Sequence, residues 1–223
     1  MRKSLLSVWA CMGLVCLMSA CKTSVKSKEW KLVWVEDFDQ KNSFDESVWT
    51  KIPRGTSDWN NYMSYYDSCY AMQDGNLILR GIANHTQKND TAPYLTGGVY
   101  TKGKKLFTGG RVEVCARLQA AKGAWPAIWM LPEKAEWPKG GEIDIMERLN
   151  HDRIAYQTTH SYYTHILGIK DNPPHGGINK INPEEYNIYS VDIYPDSLVF
   201  AVNHRHTYTY PRFDTDKEGP FPF

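Results

Sequence analysis

The sequence predicts an all-β fold, a β-sandwich or jelly roll of antiparallel strands. Short alternating or apolar runs recur along the chain, and signals for tight turns, rich in Gly, Asn and Pro, separate them. After the first twenty residues, no apolar segment has the length or the periodicity of a long amphipathic helix. Many short strands without interleaved helices are typical of sandwiches and jelly rolls.

The predicted strands are short runs spread over the chain. They span 30–35, 76–82, 111–118, 142–146, 191–194 and 198–202. Turn signals such as Asp74-Gly75-Asn76 and Asn172-Pro173-Pro174 lie between them. Because Asn203 tolerates a positive φ, the segment 202–205 predicts a tight hairpin.

The N-terminus has the layout of a signal peptide over residues 1–20. Arg2 and Lys3 precede an apolar stretch over 5–18, which is too short to span a membrane. The ending Met-Ser-Ala-Cys at 18–21 resembles a bacterial lipobox, in which Cys21 becomes the lipidated first residue. The alternative is a plain signal peptide with an incidental cysteine.

Residues 21–29 are polar and charged, and they predict a short tether between the lipid and one domain over 30–223. The expected location is therefore the bacterial cell envelope, at the outer membrane or the cell surface, with membrane contact only through Cys21. Cys69 and Cys115 remain in the folded part, and whether they pair stays open.

Composition argues against one class of partner and favours another. Basic and acidic side chains number 26 and 25, and no basic block stands out, so nucleic acid is not an expected partner. The 8 Trp and 14 Tyr exceed what packing alone usually needs. Carbohydrate binding is one use for this excess.

The segment Gly-Glu-Ile-Asp-Ile-Met-Glu at 141–147 is the most informative in the chain. Its three acids alternate with apolar residues in a context too hydrophobic for a solvated loop, and buried acids are costly without a purpose. On a regular strand Glu142 and Asp144 share a face, whereas Glu147 points to the other. One β-bulge at or near Met146 would return Glu147 to the shared face. The sequence therefore predicts that bulge.

With the bulge, Glu142 and Glu147 could act in one reaction. Their Cα atoms would be about 13 Å apart, and side chains leaning towards each other would bring the carboxyls to roughly 5 to 7 Å. That range overlaps the separation in retaining glycosidases. The alternative is a row of acids on a polar sheet face, paired with Lys or Arg of neighbouring strands.

The motif Glu-Ile-Asp-Ile-Met-Glu at 142–147 resembles the signature of glycoside hydrolase family 16 in its laminarinase-like, bulged form. The likeness extends to 123–132, to Asn60-Asn61 with Tyr65-Tyr66, and to 74–77 and 101–114. It covers roughly residues 30–223. The resemblance implies a concanavalin-like jelly roll of two curved antiparallel sheets with a substrate cleft on the concave face.

The resemblance also implies a role for each acid. Glu142 would be the nucleophile, ionised to attack the anomeric carbon, and Glu147 the general acid/base for the leaving oxygen. Asp144 would hydrogen-bond the nucleophile, and its charge would help to keep Glu147 protonated. The chemistry requires no cofactor.

Aromatic and polar side chains near the acids are the expected substrate contacts. Trp125 and Trp129 are four residues apart, so on a regular strand they share a face, and the family sets such aromatics against sugar rings. His160 is expected on the next cleft strand, touching substrate or the carboxylates. Further candidates are Trp59, Asn61, Tyr62 and Trp137. Core positions are the alternative for Trp125, Trp129 and His160.

His165, His175, His204 and His206 lack the spacing of a metal site. A structural calcium ion of the family type stays open, without ligands that the sequence assigns. A monomer is expected. Because the family normally continues beyond a position such as Phe223 into one or two more strands, the domain is expected to be truncated at its C-terminus.

Two departures from the family pattern bear on the substrate. Tyr62 stands where many β-1,3-glucanases of the family have Glu, and 160–177 resembles members from host-glycan-degrading bacteria. Those relatives cut internal β-1,4-galactosyl bonds of poly-N-acetyllactosamine in mucin-type O-glycans, so endo-β-galactosidase action is the first expectation. The alternatives are a β-1,3-glucanase (laminarinase), an enzyme acting on red-algal galactans, and a sugar-binding lipoprotein without activity.

Overall fold

The computed structural model describes residues 30–40, 42–119 and 121–223. The predicted signal peptide over 1–20, the tether over 21–29 and the lipidation site Cys21 lie outside the described residues. Residues 32–223 form one compact unit. None of the described helices has the length and apolar character needed to cross a membrane.

The described chain is built of short strands that pair antiparallel, which confirms the prediction of an all-β fold. Helical structure within it is limited to the 3₁₀ turn Asp67–Cys69 and the π-helical turn Tyr162–Ile166. The strands are β1 Thr50–Lys51, β2 Tyr70–Gln73, β3 Asn76–Leu79, β4 Gly81–Ala83, β5 Tyr94–Thr96, β6 Val99–Tyr100, β7 Gly110–Ala116, β8 Ala127–Met130, β9 Glu142–Glu147, β10 Ile154–His160, β11 Gly176–Lys180, β12 Asn187–Ile193, β13 Ser197–Val202 and β14 Arg205–Pro211.

Two four-stranded sheets form the sandwich. The front sheet has the order β11-β10-β9-β8, and the back sheet has the order β14-β13-β12-β7. Three two-stranded ribbons, β1 with β6, β2 with β3 and β4 with β5, accompany them. The front sheet carries the acidic segment, on β9.

Apolar side chains from the two sheets meet in one core. The front sheet contributes Ile143, Ile145, Met146 and Ala155, and the back sheet contributes Tyr189, Val191, Leu198, Phe200, Val202, Tyr208 and Tyr210. Along β10 the odd-numbered residues are buried and the even-numbered ones are part exposed. Because side chains alternate along a strand, the even-numbered residues of β10 face away from the core, on the side open to a ligand.

Two tight hairpins have the geometry that their residues favour. Asp74 and Gly75, between β2 and β3, have φ values of 53° and 70°. Asn203 and His204, between β13 and β14, have φ values of 50° and 60°. Two successive positive φ angles are typical of the type I′ turn. The predicted hairpin over 202–205 is confirmed.

The predicted strand over 30–35 is wrong, because no strand pairs with this run. Leu32, Val33 and Val35 are mostly exposed. Trp34 packs inward, with its ring 5.7 Å from that of Phe107 and 6.5 Å from that of Trp49. The apolar character of this run was therefore not sufficient to place it in a sheet.

The predicted strand over 76–82 is divided into β3 and β4. The division occurs at Arg80, because β3 pairs with β2 whereas β4 pairs with β5. Cys69 and Cys115, whose pairing the sequence left open, are not joined: Cys69 is buried and Cys115 is exposed on β7.

Candidate active site

A β-bulge on β9 brings three acids to one face of the front sheet. Asp144 pairs with Trp129 and Thr158, and Glu147 pairs with Ala127 and Tyr156. Between these pairs β9 advances three residues while each neighbouring strand advances two. Ile145 and Met146 are therefore both directed into the core, where they are 1% and 0% exposed. The predicted bulge is confirmed, and Glu147 returns to the side of Glu142 and Asp144.

Each glutamate accepts a hydrogen bond from an indole. Trp125 Nε1 donates to Glu147 Oε1 over 2.7 Å, and Trp137 Nε1 donates to Glu142 Oε2 over 2.6 Å. The two indoles are 46% and 48% exposed. A large part of each ring therefore remains available to a ligand.

The prediction that Trp125 and Trp129 share one regular strand is wrong. Strand β8 begins at Ala127, and Trp125 lies before it. Pro126 stands between Trp125 and the strand, and it has no N–H to give to a ladder. Trp125 nevertheless reaches the acids, through its bond to Glu147.

Asp144 faces His160 rather than Glu142. It is 3% exposed, and its Oδ2 lies 3.2 Å from His160 Nε2. This contact is an ion pair rather than a well-directed hydrogen bond, since Oδ2 accepts no hydrogen bond from the described residues. The predicted hydrogen bond from Asp144 to Glu142 is likewise absent from the part of the chain that the structure describes.

Burial raises the pKa of both glutamates. Burial first, and the charge of Asp144 second, raise the pKa of Glu142 to about 7. The same two causes raise the pKa of Glu147. The indole donors and the charge of His160 act in the opposite direction on each. The acidic cluster therefore retains a proton near neutral pH, which a general acid requires.

His160 is the imidazole that contacts the acids, through Asp144. Burial lowers its pKa, but contact with Asp144 and the charges of Glu142 and Glu147 outweigh burial, so the pKa of His160 is raised. The rings of His165 and His175 lie 6.1 Å and 6.2 Å from that of His160. Burial first, together with the charge of His160, lowers the pKa of both. These two rings are therefore neutral at neutral pH.

Two tryptophans form an aromatic surface beside the acids. Trp129 pairs with Asp144 across the ladder, so its side chain lies on the acidic face. The ring of Trp59 meets that of Trp129 edge to face, with centroids 5.0 Å apart. Trp59 is 40% exposed, which leaves ring surface for a sugar.

The structure does not connect Tyr62 or Asn61 directly to the acids. The ring of Tyr62 lies 6.1 Å from that of Tyr94. Asn61 has a buried side-chain oxygen without a hydrogen-bond partner among the described residues. Both residues follow Trp59 in the same turn, 58–62, so they lie near the aromatic surface by chain continuity.

Three residues of this face were missed as candidates from the sequence. Tyr156 and Thr158 pair with Glu147 and Asp144, and the alternation along β10 could have found them. His165 lies in the π-helical turn, with its ring 4.4 Å from that of Trp137. No local pattern signals a π-helical turn. Across the described ranges, no group of three or more His, Cys, Asp or Glu side chains could hold a metal ion.

Comparisons with known proteins agree with this geometry. Residues 84–183, which include all three acids, match the family model described as "XgeA-like, catalytic GH16 domain". A β-glucanase from Rhodothermus marinus is 30% identical over 208 residues, which cover 88% of this chain and 71% of that protein. This chain belongs to glycoside hydrolase family 16. The resemblance that the motif at 142–147 carries is thereby confirmed.

Two further similar proteins have names or descriptions that indicate a substrate. The keratan-sulfate endo-1,4-β-galactosidase of Sphingobacterium multivorum is 37% identical over 206 residues, or 90% of this chain. The match covers 48% of that protein, so this chain spans about half of its length. A solved structure described under endo-acting O-glycanases of the human gut microbiota that initiate mucin breakdown has a TM-score of 0.70 and 29% identity. It matches over 86% of this chain and 80% of its own, which agrees with the jelly-roll fold of the family.

Proposed function

We propose that this family 16 protein is a retaining endo-β-glycoside hydrolase. The observation that carries the proposal is the bulge in β9, which brings Glu142, Asp144 and Glu147 to one open face. The pKa of each glutamate is raised there, mainly by burial. Two carboxyls with separate roles on one face are the requirement for retaining hydrolysis.

Glu142 acts as the nucleophile and Glu147 as the general acid/base. The Glu147 carboxyl gives its proton to the leaving glycosidic oxygen while the Glu142 carboxylate bonds to the anomeric carbon and the C–O bond breaks. Glu147 then takes a proton from water, whose oxygen displaces Glu142 with net retention. Burial and the charge of Asp144 favour the protonated form of both glutamates, and an indole donor and the charge of His160 favour the ionised form of both. The division of roles between Glu142 and Glu147 therefore rests on their positions in the family motif.

For the substrate, we propose internal β-1,4-galactosyl bonds of poly-N-acetyllactosamine in mucin-type O-glycans. The similarity to the keratan-sulfate endo-1,4-β-galactosidase, at 37% identity, supports this choice. The likeness to an O-glycanase structure supports it as well. Aromatic faces such as that of Trp59 suit the apolar faces of galactose rings.

A second candidate is β-1,3-glucanase action. The 30% identity to the Rhodothermus marinus β-glucanase favours it. The reacting groups would be the same, because selection among sugars resides in loops and subsites rather than in the carboxyl pair.

Release of reducing ends from a glycan panel tests both proposals. The panel comprises poly-N-acetyllactosamine oligosaccharides, keratan sulfate, mucin O-glycans, laminarin and a red-algal galactan. We expect release from the N-acetyllactosamine substrates, with the first-formed product in the β configuration by NMR. Glu142→Gln and Glu147→Gln serve as matched variants. Equal release by wild type and Glu142→Gln would contradict the enzyme assignment, and binding without release would favour a sugar-binding lipoprotein.

We propose in addition that the protein is anchored to the cell envelope by lipid on Cys21. The lipobox-like sequence at 18–21 and the polar run over 22–29 support this location. Expression in a bacterial host with labelled palmitate tests it. Label on the wild-type chain and none on Cys21→Ser is the expected result, and equal label on both would contradict it.

A further inference from the structure

The side chain of Gln157 lies in the core behind the bulge in β9. Tyr156 pairs with Glu147 and Thr158 pairs with Asp144, so Gln157 stands opposite the extra residue of the bulge. It is 0% exposed. An amide buried among apolar side chains is an unfavourable choice unless its hydrogen bonds serve a purpose.

The Gln157 amide spans from the bulge to the back sheet. Its Nε2 donates to the carbonyl oxygen of Ile145 over 2.7 Å. Longer contacts, of 3.2 Å and 3.4 Å, join Nε2 to the carbonyl oxygens of Ala201 on β13 and Ser190 on β12. These three acceptors fix the amide orientation, because the flipped amide would direct its oxygen at three other oxygens.

The hydrogen bond from Gln157 satisfies a backbone carbonyl at the bulge. A bulge interrupts the ladder and leaves backbone groups of the bulged strand without their usual partners. Nε2 of Gln157 satisfies the carbonyl of Ile145, the residue just before Met146 in the bulge. Oε1 of Gln157 is buried without a hydrogen-bond partner among the described residues. The hydrogen bonds of this side chain are therefore those that its Nε2 donates.

We propose that Gln157 is a positioning residue that holds the β9 bulge and thereby holds Glu147 in line for proton transfer. This inference rests on the proposed function of Glu147. Gln157 touches neither the acids nor the open face, and it acts through the backbone of Ile145, two residues before Glu147. Displacement of a catalytic group by about 1 Å can lower a rate on the order of a hundredfold.

The test uses Gln157→Met, which keeps the side-chain length and removes the donor. Thr159→Val is the matched control, because Thr159 is also 0% exposed on the core side of β10 and its Oγ1 donates to His175 rather than to β9. If Gln157→Met does not fold, Gln157→Leu replaces it, and Gln157→Glu is the rescue variant that keeps a donor. Burial favours the neutral form of that carboxyl, which can still donate one hydrogen bond to Ile145, so Gln157→Glu should stay close to wild type.

The first measurement is hydrogen exchange of the backbone amides of residues 145–147, which does not depend on activity. We expect faster exchange in Gln157→Met and wild-type exchange in Thr159→Val. Unchanged exchange in Gln157→Met, or faster exchange in the control as well, would overturn the role of Gln157 at the bulge. An inactive wild type would overturn the proposed function, and the exchange result would still decide this role.

The second measurement compares two substrates of the same N-acetyllactosamine oligosaccharide, one with a 2,4-dinitrophenyl leaving group and one with a sugar leaving group. The activated leaving group needs little protonation, whereas the sugar depends on Glu147. We expect kcat/KM of Gln157→Met to fall at least about tenfold more on the sugar than on the dinitrophenyl substrate. An equal fall on both substrates, as a simple loss of folded protein would give, overturns the positioning role.

Discussion

The indole Nε1 of Trp137 donates a 2.6 Å hydrogen bond to Oε2 of Glu142. Trp125 makes the corresponding 2.7 Å bond to Oε1 of Glu147. A donor to a carboxylate favours the ionised form, so each indole lowers the pKa of its glutamate against the effect of burial. Because each bond serves one glutamate, the two roles can be separated by experiment.

Trp137→Phe should move the acidic limb of the pH profile of kcat/KM to higher pH. The change removes a donor that lowers the pKa of Glu142. In the proposed mechanism Glu142 must be ionised to attack. A hydrogen bond to a charged group corresponds to a shift of about one pH unit. Kinetics from pH 5 to 9 measure it, with activity at pH 6 falling more than at pH 8. An acidic limb that stays in place would exclude Glu142 as the group that must lose its proton.

Trp125→Phe should move the basic limb of the pH profile of kcat/KM to higher pH. Its indole lowers the pKa of Glu147, which must be protonated in the proposed mechanism, so loss of the donor should shift the basic limb up by about one pH unit. The acidic limb should remain where the wild type has it. If Trp125→Phe moved the acidic limb instead, the nucleophile and the acid/base would have to be exchanged.

Glu142→Gln should stabilise the fold at alkaline pH while abolishing activity. The pKa of Glu142 rises from 4.5 to about 7 on folding, so this carboxyl favours the folded state below pH 4.5 and loses that contribution as the pH rises through 7. At pH 8 the wild type holds a carboxylate beside Asp144, which the variant avoids. The gain is on the order of 1 kcal/mol for this part-exposed group, or about 2 to 4 °C in Tm.

Thermal melts of both proteins at pH 8 and pH 4 measure this difference. The gain at pH 8 should shrink towards pH 4, where the folded wild type is protonated at Glu142 and resembles the variant. A gain of equal size at both pH values would mean that packing rather than charge separates the two proteins.

Trp59→Ala should lower kcat/KM on long substrates by about tenfold, since it removes an aromatic face worth about 1 kcal/mol and the edge contact that steadies Trp129. Tyr186→Ala is the control, because Tyr186 is 49% exposed and lies just before β12 of the back sheet. Kinetics on a series of oligosaccharide lengths measure both variants. An equal effect of the two substitutions would remove Trp59 from the substrate surface.

The acidic strand could be predicted from the sequence because its evidence is local. A period of two residues sets Glu142 and Asp144 on one face, and the odd offset of Glu147 then requires a bulge, which the pairing of Glu147 with Ala127 and Tyr156 confirms. The contacts of the side chains could not be predicted in this way. His165 meets Trp137 only because a π-helical turn carries it there, and the Gln157 amide finds Ile145 across the core. Those partners depend on the tertiary packing of distant segments.

Gly141→Ala should destabilise the protein more than Gly168→Ala does. Both glycines have positive φ, of 82° and 68°, so either substitution introduces backbone strain of about 1 to 2 kcal/mol. A Cβ at Gly168 would meet nothing within 4 Å, whereas one at Gly141 would lie 2.5 Å from Cε1 of Phe223 and 2.8 Å from Cγ of Pro222. Phe223 packs against Phe221 and Tyr210, so its displacement should add about 1 to 3 kcal/mol.

Chemical denaturation of the two variants measures this difference in stability. Kinetic measurements test whether the substitution also disturbs the active face. Gly141 immediately precedes Glu142, so a shift that relieves the contact with Phe223 should also disturb the carboxyl and its bond to Trp137. Activity should therefore fall in Gly141→Ala beyond what the loss of stability explains, while Gly168→Ala should keep wild-type kinetics. Equal destabilisation by the two substitutions would mean that displacement of Phe223 costs no free energy. The packing of Phe223 would then not constrain the start of β9.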